Sequence, residues 1–472
     1  MLILILGVTA LLMGYLFYSK VLVKAVQPYK EPTPAISIND GSDYVPLSRN
    51  KSLLIQLLNI AGTGPIFGAL MGAKWGPIVF FWIIIGTIFG GAVHDYMSGM
   101  MSIRNNGESI TGIITRYLGK QTRYPILFLL IFLMIMVSAT FARSAGDLLS
   151  DLSGIPTTYW IIVILIYFVA SAVIPIHKLI GRIYPIFGIL LILMAVTVIG
   201  GLIVGGYTFP DFTLENLHPK GDQYFPDMFI TVACGAISGF HATQAPMVSR
   251  CTKNEEDGRM IFYGAMVIES VIALIWALAG LSFYGNTLDL SLALAEEGSS
   301  GVVYDIAVGV AGPIGGVLAV IGVIICPITS GDTAVRSARM MVQDDRGLET
   351  KDMKSTVIVT LVLIAFVVAF ASMDFTILWN YFSWLNQTLA CIVLWTATAF
   401  LLKIAKNKLY SLITALPAIF MTSVVTSFAM HSKLLAGLDY DLAIMSANVI
   451  TVAVMVAYLI VLIRARSNAS TA

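Results

Sequence analysis

Apolar residues fall in long runs along this chain, separated by short stretches that hold most of the charge. A helix needs about 20 such residues to cross the hydrocarbon of a bilayer. Backbone groups in lipid must pair within their own segment, so runs of that length are read as helices; the alternation expected of barrel strands is absent. The pattern predicts about thirteen spans by this length rule. They fall near 2–18, 52–74, 77–101, 125–149, 157–175, 184–206, 226–248, 260–284, 312–334, 355–372, 377–402, 409–429 and 441–463.

Lysine and arginine gather in alternate loops. Lys20, Lys24, Lys30, Arg49 and Lys51 follow the first span, and Arg104, Arg116, Lys120 and Arg123 come two spans later. Lys178 and Arg182 are next, then Arg250, Lys253 and Arg259, then Arg336, Arg339, Arg346, Lys351 and Lys354. Lys403, Lys406 and Lys408 follow, and Arg464 and Arg466 stand in the tail. The loop 285–301 has Asp289, Glu296 and Glu297 but neither Lys nor Arg. Every basic loop then lies on one side, which predicts an N-terminus outside and a C-terminus in the cytoplasm of a plasma membrane. The connection 19–51 holds Pro28, Pro32, Pro34 and Pro46 and is expected to be irregular. The apolar start at Met1 lacks a basic leader and is read as a retained helix.

Two spans have unusual interiors. One contains Ala61-Gly62-Thr63-Gly64-Pro65, the other Cys234-Gly235-Ala236-Ile237-Ser238-Gly239-Phe240-His241 with Pro246 beyond. Pro65 cannot donate a backbone hydrogen bond and glycines loosen the helix, so either stretch can unwind in mid-membrane. The freed N–H and C=O groups then need a ligand, an ion or water. Close packing of helices on small residues is the plainer alternative. The loop charges make the first interrupted span enter from the cytoplasm and the second from outside. Five spans counted from each give 52–206 and 226–402, the arrangement of an inverted repeat whose first helices break at the substrate site. An extra helix and Pro-rich loop (1–51) precede the repeats, and two helices with a tail (403–472) follow.

Composition narrows the function classes. The 472-residue chain is 58% hydrophobic and 12% charged, so lipid is the solvent for most of its surface. A net charge of +1 gives no field for nucleic acid. Cys234, Cys251, Cys326 and Cys391 are widely spaced, form no CxxC pair and are read as free thiols, with no metal site expected. No Walker motif points to ATP, and no HExxH or GxSxG motif points to an enzyme.

Several motifs resemble the carbon-starvation protein A family. They are Asp40-Gly41-Ser42-Asp43-Tyr44-Val45-Pro46, Ile60-Ala61-Gly62-Thr63-Gly64-Pro65-Ile66, Gly91-Ala92-Val93-His94-Asp95-Tyr96 and Ser102-Ile103-Arg104-Asn105-Asn106-Gly107. Further along come Ala233-Cys234-Gly235-Ala236-Ile237-Ser238-Gly239-Phe240-His241, Tyr263-Gly264-Ala265-Met266 with Glu269-Ser270, and Asp332-Thr333 with Arg336 and Arg339. The resemblance implies peptide uptake in nutrient limitation, or pyruvate uptake by proton symport. It also implies an all-α, leucine-transporter-like five-plus-five fold. Many members carry Gly-His-His-Phe before the first break; Ile55-Gln56-Leu57-Leu58 stands there in this chain, so that stretch's role is not carried over. The chain looks like the short form of the family.

The expected substrate residues are Asn59, Ala61, Gly62, Thr63, Gly64, Pro65, Cys234, Gly235, Ser238, Gly239, Phe240 and His241. Charge at bilayer depth marks a pathway or a structural pair. His94, Asp95 and Glu269 are therefore either a proton or cation relay or a tie between helices. Thr329, Ser330, Asp332 and Thr333, after Pro327, suit a hard cation or a proton, or else a helix end. Arg143 is read as a partner of Asp147 one turn on, ahead of a carboxylate clamp. Asn380, Trp384, Asn386 and Gln387 are candidate pathway residues. The leading expectation is a secondary carrier importing a small peptide or carboxylate, coupled to H+ or Na+ and without a cofactor; channel and membrane-embedded enzyme are the other classes.

Overall fold

The computed structural model describes residues 1–41, 43–173, 176–348 and 352–470, with the side chains of 173–185, 313–314 and 468–470 left aside. Ser42, Lys351 and the side chains of Lys178 and Arg182, used above, lie outside the described residues. Among those described, ten helices are long and apolar enough to cross a membrane, or eleven when the bent pair Arg49–Ile60 and Gly64–Trp75 counts as one span. The remaining expected spans correspond to the shorter apolar helix Thr157–Ala172 and to a second broken helix, Asp227–Thr231 with Phe240–Ser249. The chain is a multi-pass, all-helical membrane protein.

Local chemistry sets many of the helix ends. Asp374 accepts bonds from Thr376 N and Ile377 N and starts Phe375–Ile404. Gly285 and Gly347 take left-handed backbone (φ 77° and 65°) and stop the helices that end at Tyr284 and Arg346. Two ends differ from expectation. The first helix continues to Val26, so Lys20 and Lys24 lie on it rather than in a loop. Gly315–Arg346 likewise carries Arg336 and Arg339, both buried. Their charge reads as a loop in sequence, but Arg336 donates to Ser171 O and Arg339 Nη1 to Gln343 Oε1 (2.7 Å), so the helix can continue inside protein.

Burial separates an inner bundle from a lipid-facing rim. In Glu255–Tyr284, 89% of the most apolar window is buried, against 17% in Tyr440–Ser467 and 28% in Met353–Ala371. The outer helices present Leu, Ile and Val to lipid.

The two broken helices lie in the inner bundle and run in opposite directions. Leu47, just before the first, pairs with the end of the second through Leu47 N to Cys251 O (3.0 Å). At the other end, Leu217 N donates to Trp75 O (3.2 Å), Trp75 Nε1 to Asp222 O (3.1 Å) and Thr287 Oγ1 to Leu217 O (2.7 Å). The first helix therefore finishes where the second begins.

Candidate functional site

The first broken helix stops at Ile60, is irregular through Thr63 and resumes at Gly64 with a 59° bend. Pro65 stands at the start of the resumed helix, where its missing N–H costs no intrahelical bond. The second is irregular from Val232 to Gly239. The two breaks press together. A Cβ on Gly64 would lie 2.2 Å from the Cys234 Cβ, so only glycine permits this approach. The expected substrate residues are all buried here. Both amide atoms of Asn59 and the Thr63 hydroxyl have no hydrogen-bond partner among the described residues.

The second break does not wait for a ligand to pair its backbone. Asn386 Oδ1 accepts from Phe240 N (2.7 Å) and Ser238 Oγ (3.1 Å), and Asn386 O accepts from Gly239 N (3.2 Å). Gln387 Nε2 reaches Ala233 O (3.3 Å) and Ile237 O (3.2 Å). These two residues, candidates for the pathway in sequence, act as a brace. The expectation of an open backbone is corrected there, because an amide side chain supplies the donors and acceptors the unwound turn lacks.

Behind the breaks, four ionisable side chains form one fully buried chain. Asp95 sits between two imidazoles: His94 Nδ1 is 2.8 Å from Oδ1 and His241 Nδ1 is 2.8 Å from Oδ2. His241 Nε2 lies 3.5 Å from Glu269 Oε2, within ion-pair reach though not a hydrogen bond. An ionised Asp95 fixes a proton on each Nδ1 and leaves Nε2 as the free nitrogen of a neutral ring. A neutral His241 then faces a protonated Glu269, and a cationic His241 faces a carboxylate. The arrangement can hold one proton in either place.

Helix Ile78–Arg104 supplies His94 and Asp95, Phe240–Ser249 supplies His241, and Glu255–Tyr284 supplies Glu269. Thr87 Oγ1 and Ser270 Oγ (2.6 Å) join the first and last of these. His94 and Asp95 are thus fully buried beside the second break.

The Thr329–Thr333 group does not converge in the same way. Ser330 Oγ donates to Leu58 O of the first broken helix (3.1 Å). Thr329 and Thr333 donate to carbonyls of their own helix. Asp332 accepts from Tyr167 Oη (2.7 Å) and Ser171 Oγ (2.9 Å) on a neighbouring helix. Arg143 pairs with Asp147 at 3.0 Å. Sequence reading passed over Ser52, Gln56 and Gln244, which are buried with unpaired polar atoms. The spacing of Ser52, Gln56, Asn59 and Thr63 along one helical face was the available signal.

The chain belongs to the carbon starvation protein CstA family, which it matches over residues 1–158, 145–286 and 293–429. It is 40% identical over 345 residues to an uncharacterized membrane protein of Haemophilus influenzae, covering 61% of this chain and 92% of that one. It is 28% identical over 357 residues to the pyruvate/proton symporter BtsT of Escherichia coli (60% of this chain, 50% of that one). It is 27% identical over 360 residues to a peptide transporter CstA of Helicobacter pylori (59% and 51%). These matches span about half the length of the latter two relatives. Among solved structures, MhsT in complex with L-phenylalanine superposes with a TM-score of 0.58 at 15% identity, over 80% of this chain and 98% of that one. That likeness shows the fold, which is leucine-transporter-like.

Two outcomes follow from the brace and the crossing. Asn386→Leu leaves the Phe240 N–H without its buried acceptor and is expected to lower stability by about 1–3 kcal/mol; thermal unfolding in detergent measures it, and an unchanged midpoint would remove the brace. Gly64→Ala forces the breaks apart at a cost of about 1–3 kcal/mol, as overpacking does. Cys234→Gly in the same chain should restore the unfolding temperature by removing the atom struck; no recovery would mean the clash lies elsewhere.

Proposed function

We propose that this chain is a secondary active carrier that imports small peptides across the plasma membrane by alternating access, driven by protons. Its N-terminus lies outside and its C-terminus in the cytoplasm, with 52–206 and 226–402 as the inverted repeats. The family name supports a link between this uptake and carbon scarcity. The observation that carries the reading is the buried Asp95 between His94 and His241, with Glu269 beyond. Burying so many ionisable groups in a membrane protein is costly and is retained where charge moves. The cluster adjoins the second break, so binding of cargo there and the position of the proton are felt by the same side chains. Asn59, Ala61, Gly62, Thr63, Gly64 and Pro65 from one break, and Cys234, Gly235, Ser238, Gly239, Phe240 and His241 from the other, would line the cargo. The Thr329–Thr333 group takes the lesser part, with Ser330 steadying the first break.

A small carboxylate such as pyruvate is the second reading, favoured by the 28% identity to a pyruvate/proton symporter. The proton cluster serves either cargo. Transport rather than catalysis is supported by the named relatives.

Purified protein in liposomes tests this directly. Uptake of alanyl-alanine should accelerate under an inward proton gradient and not under a sodium gradient. Pyruvate uptake under the same gradient would select the second reading. Glu269→Gln should abolish the acceleration while leaving downhill exchange; unchanged proton dependence would leave Glu269 a structural role.

A further inference from the structure

Cavities open from the end of the molecule that carries Arg116, Lys120, Arg123 and Arg250. The larger, about 850 Å³, is bordered by Tyr44, Asn105, Arg250 and Asp344. A small cavity shares Ser109, Arg250, Met341 and Asp344 with it and extends inward to Thr243. Thr243 Oγ1 accepts from Gln244 Nε2 (2.8 Å), and Gln244 Oε1 has no partner among the described residues. Gln244 stands one turn beyond His241 on Phe240–Ser249, and that helix packs against Arg49–Ile60.

On Arg49–Ile60, Ser52, Gln56 and Asn59 share one helical face that runs on to Thr63 in the break. All four are fully buried. Ser52 Oγ, both amide atoms of Gln56, both of Asn59 and Thr63 Oγ1 have no hydrogen-bond partner among the described residues. Buried polar atoms are ordinarily paired, so a row of unpaired ones leading to the break, on a helix packed against the one that carries Thr243, calls for water or solute. The row carries no charge. A carboxylate would draw on arginine or lysine there, whereas a side-chain amide offers one donor and one acceptor side by side, the complement of another amide.

We propose that Gln56 and Gln244 form a second cargo subsite, between the breaks and the basic-end cavity, that holds an uncharged amide group of the solute in transit. This rests on the carrier reading and adds to it a preference for amide over ester at a site separate from the breaks.

The test uses purified full-length protein with alanyl-alanine and its ester analogue alanyl-lactate. Thermal stabilisation gives binding, and uptake into liposomes runs in parallel. The wild type should bind alanyl-alanine about tenfold more tightly, roughly the worth of one hydrogen bond at a buried site. Gln56→Leu and Gln244→Leu should each bring the two probes to within about twofold. Without ligand, Gln56→Leu should melt no lower than the wild type, since it removes unpaired polar atoms; a lower midpoint would assign Gln56 to structure and overturn the subsite. Equal binding of the probes by the wild type, binding of neither, or variants that keep the preference would also overturn it. Wild-type preference lost in both variants, but with no uptake of dipeptide, would sustain the subsite and sink the peptide-uptake reading instead.

Discussion

A polar group withdrawn from water into a membrane protein has to find its partner inside the protein, and this constraint organises the molecule around its two breaks. Unwinding a helix in lipid frees donors and acceptors that no neighbouring turn can reach. At the second break Asn386 and Gln387 provide them from another helix, so the irregular stretch has partners inside the protein. At the first, Ser330 holds the Leu58 carbonyl, and the contact between Gly64 and Cys234 is so close that the two unwound segments support one another. What stays unpaired is therefore informative. The open atoms of Asn59, Thr63, Gln56 and Gln244 belong to side chains on the approach to the breaks.

The ionisable chain obeys the same constraint with charge added. An isolated carboxylate at this depth would be strongly disfavoured, but Asp95 accepts from two imidazoles and so remains useful as a fixed anion. Its two oxygens are both occupied, which directs any movable proton to the far nitrogen of His241 and to Glu269. Asp95 belongs to the helix after the first break and Glu269 to the helix after the second. Under the proposed carrier reading, a coupling proton would sit between these two helices, where a change of charge would alter how strongly they attract.

Much of the fold was legible in the sequence, and the reasons are local. Apolar run length marked most helices, and the Gly-Thr-Gly-Pro and Cys-Gly-Ala-Ile-Ser-Gly stretches marked both breaks. What escaped notice depends on partners far along the chain. Asn386 reads as a pathway residue until it is seen against Phe240, 146 positions away. His94 and Asp95 read as a relay or a tie between helices, with no partner assigned, until His241 is placed beside them. Arg336 and Arg339 read as loop residues because charge ends a hydropathy run, whereas their bonds to Ser171 O and Gln343 let the helix carry them inside. The stripe through Gln56 was visible at helical spacing, but spacing alone does not say whether a polar face meets protein, lipid or a cavity.

The two ends of the molecule are unlike, and this bears on how a carrier of this build would turn over. Toward Trp75, the loop that holds Leu217 and Asp222 is bonded across the end of the first broken helix. Toward Arg250 lies a cavity of about 850 Å³, and a small cavity that shares part of its lining reaches Thr243. Among the described residues, hydrogen bonds therefore cross the Trp75 end and the cavity lies at the Arg250 end. Under the carrier reading, turnover would break the Trp75 contacts and narrow the cavity at the basic end. Both halves would have to move without losing the Asn386 brace, since the freed backbone has no solvent to turn to. A rocking motion that keeps each break with its supporting helix satisfies that requirement.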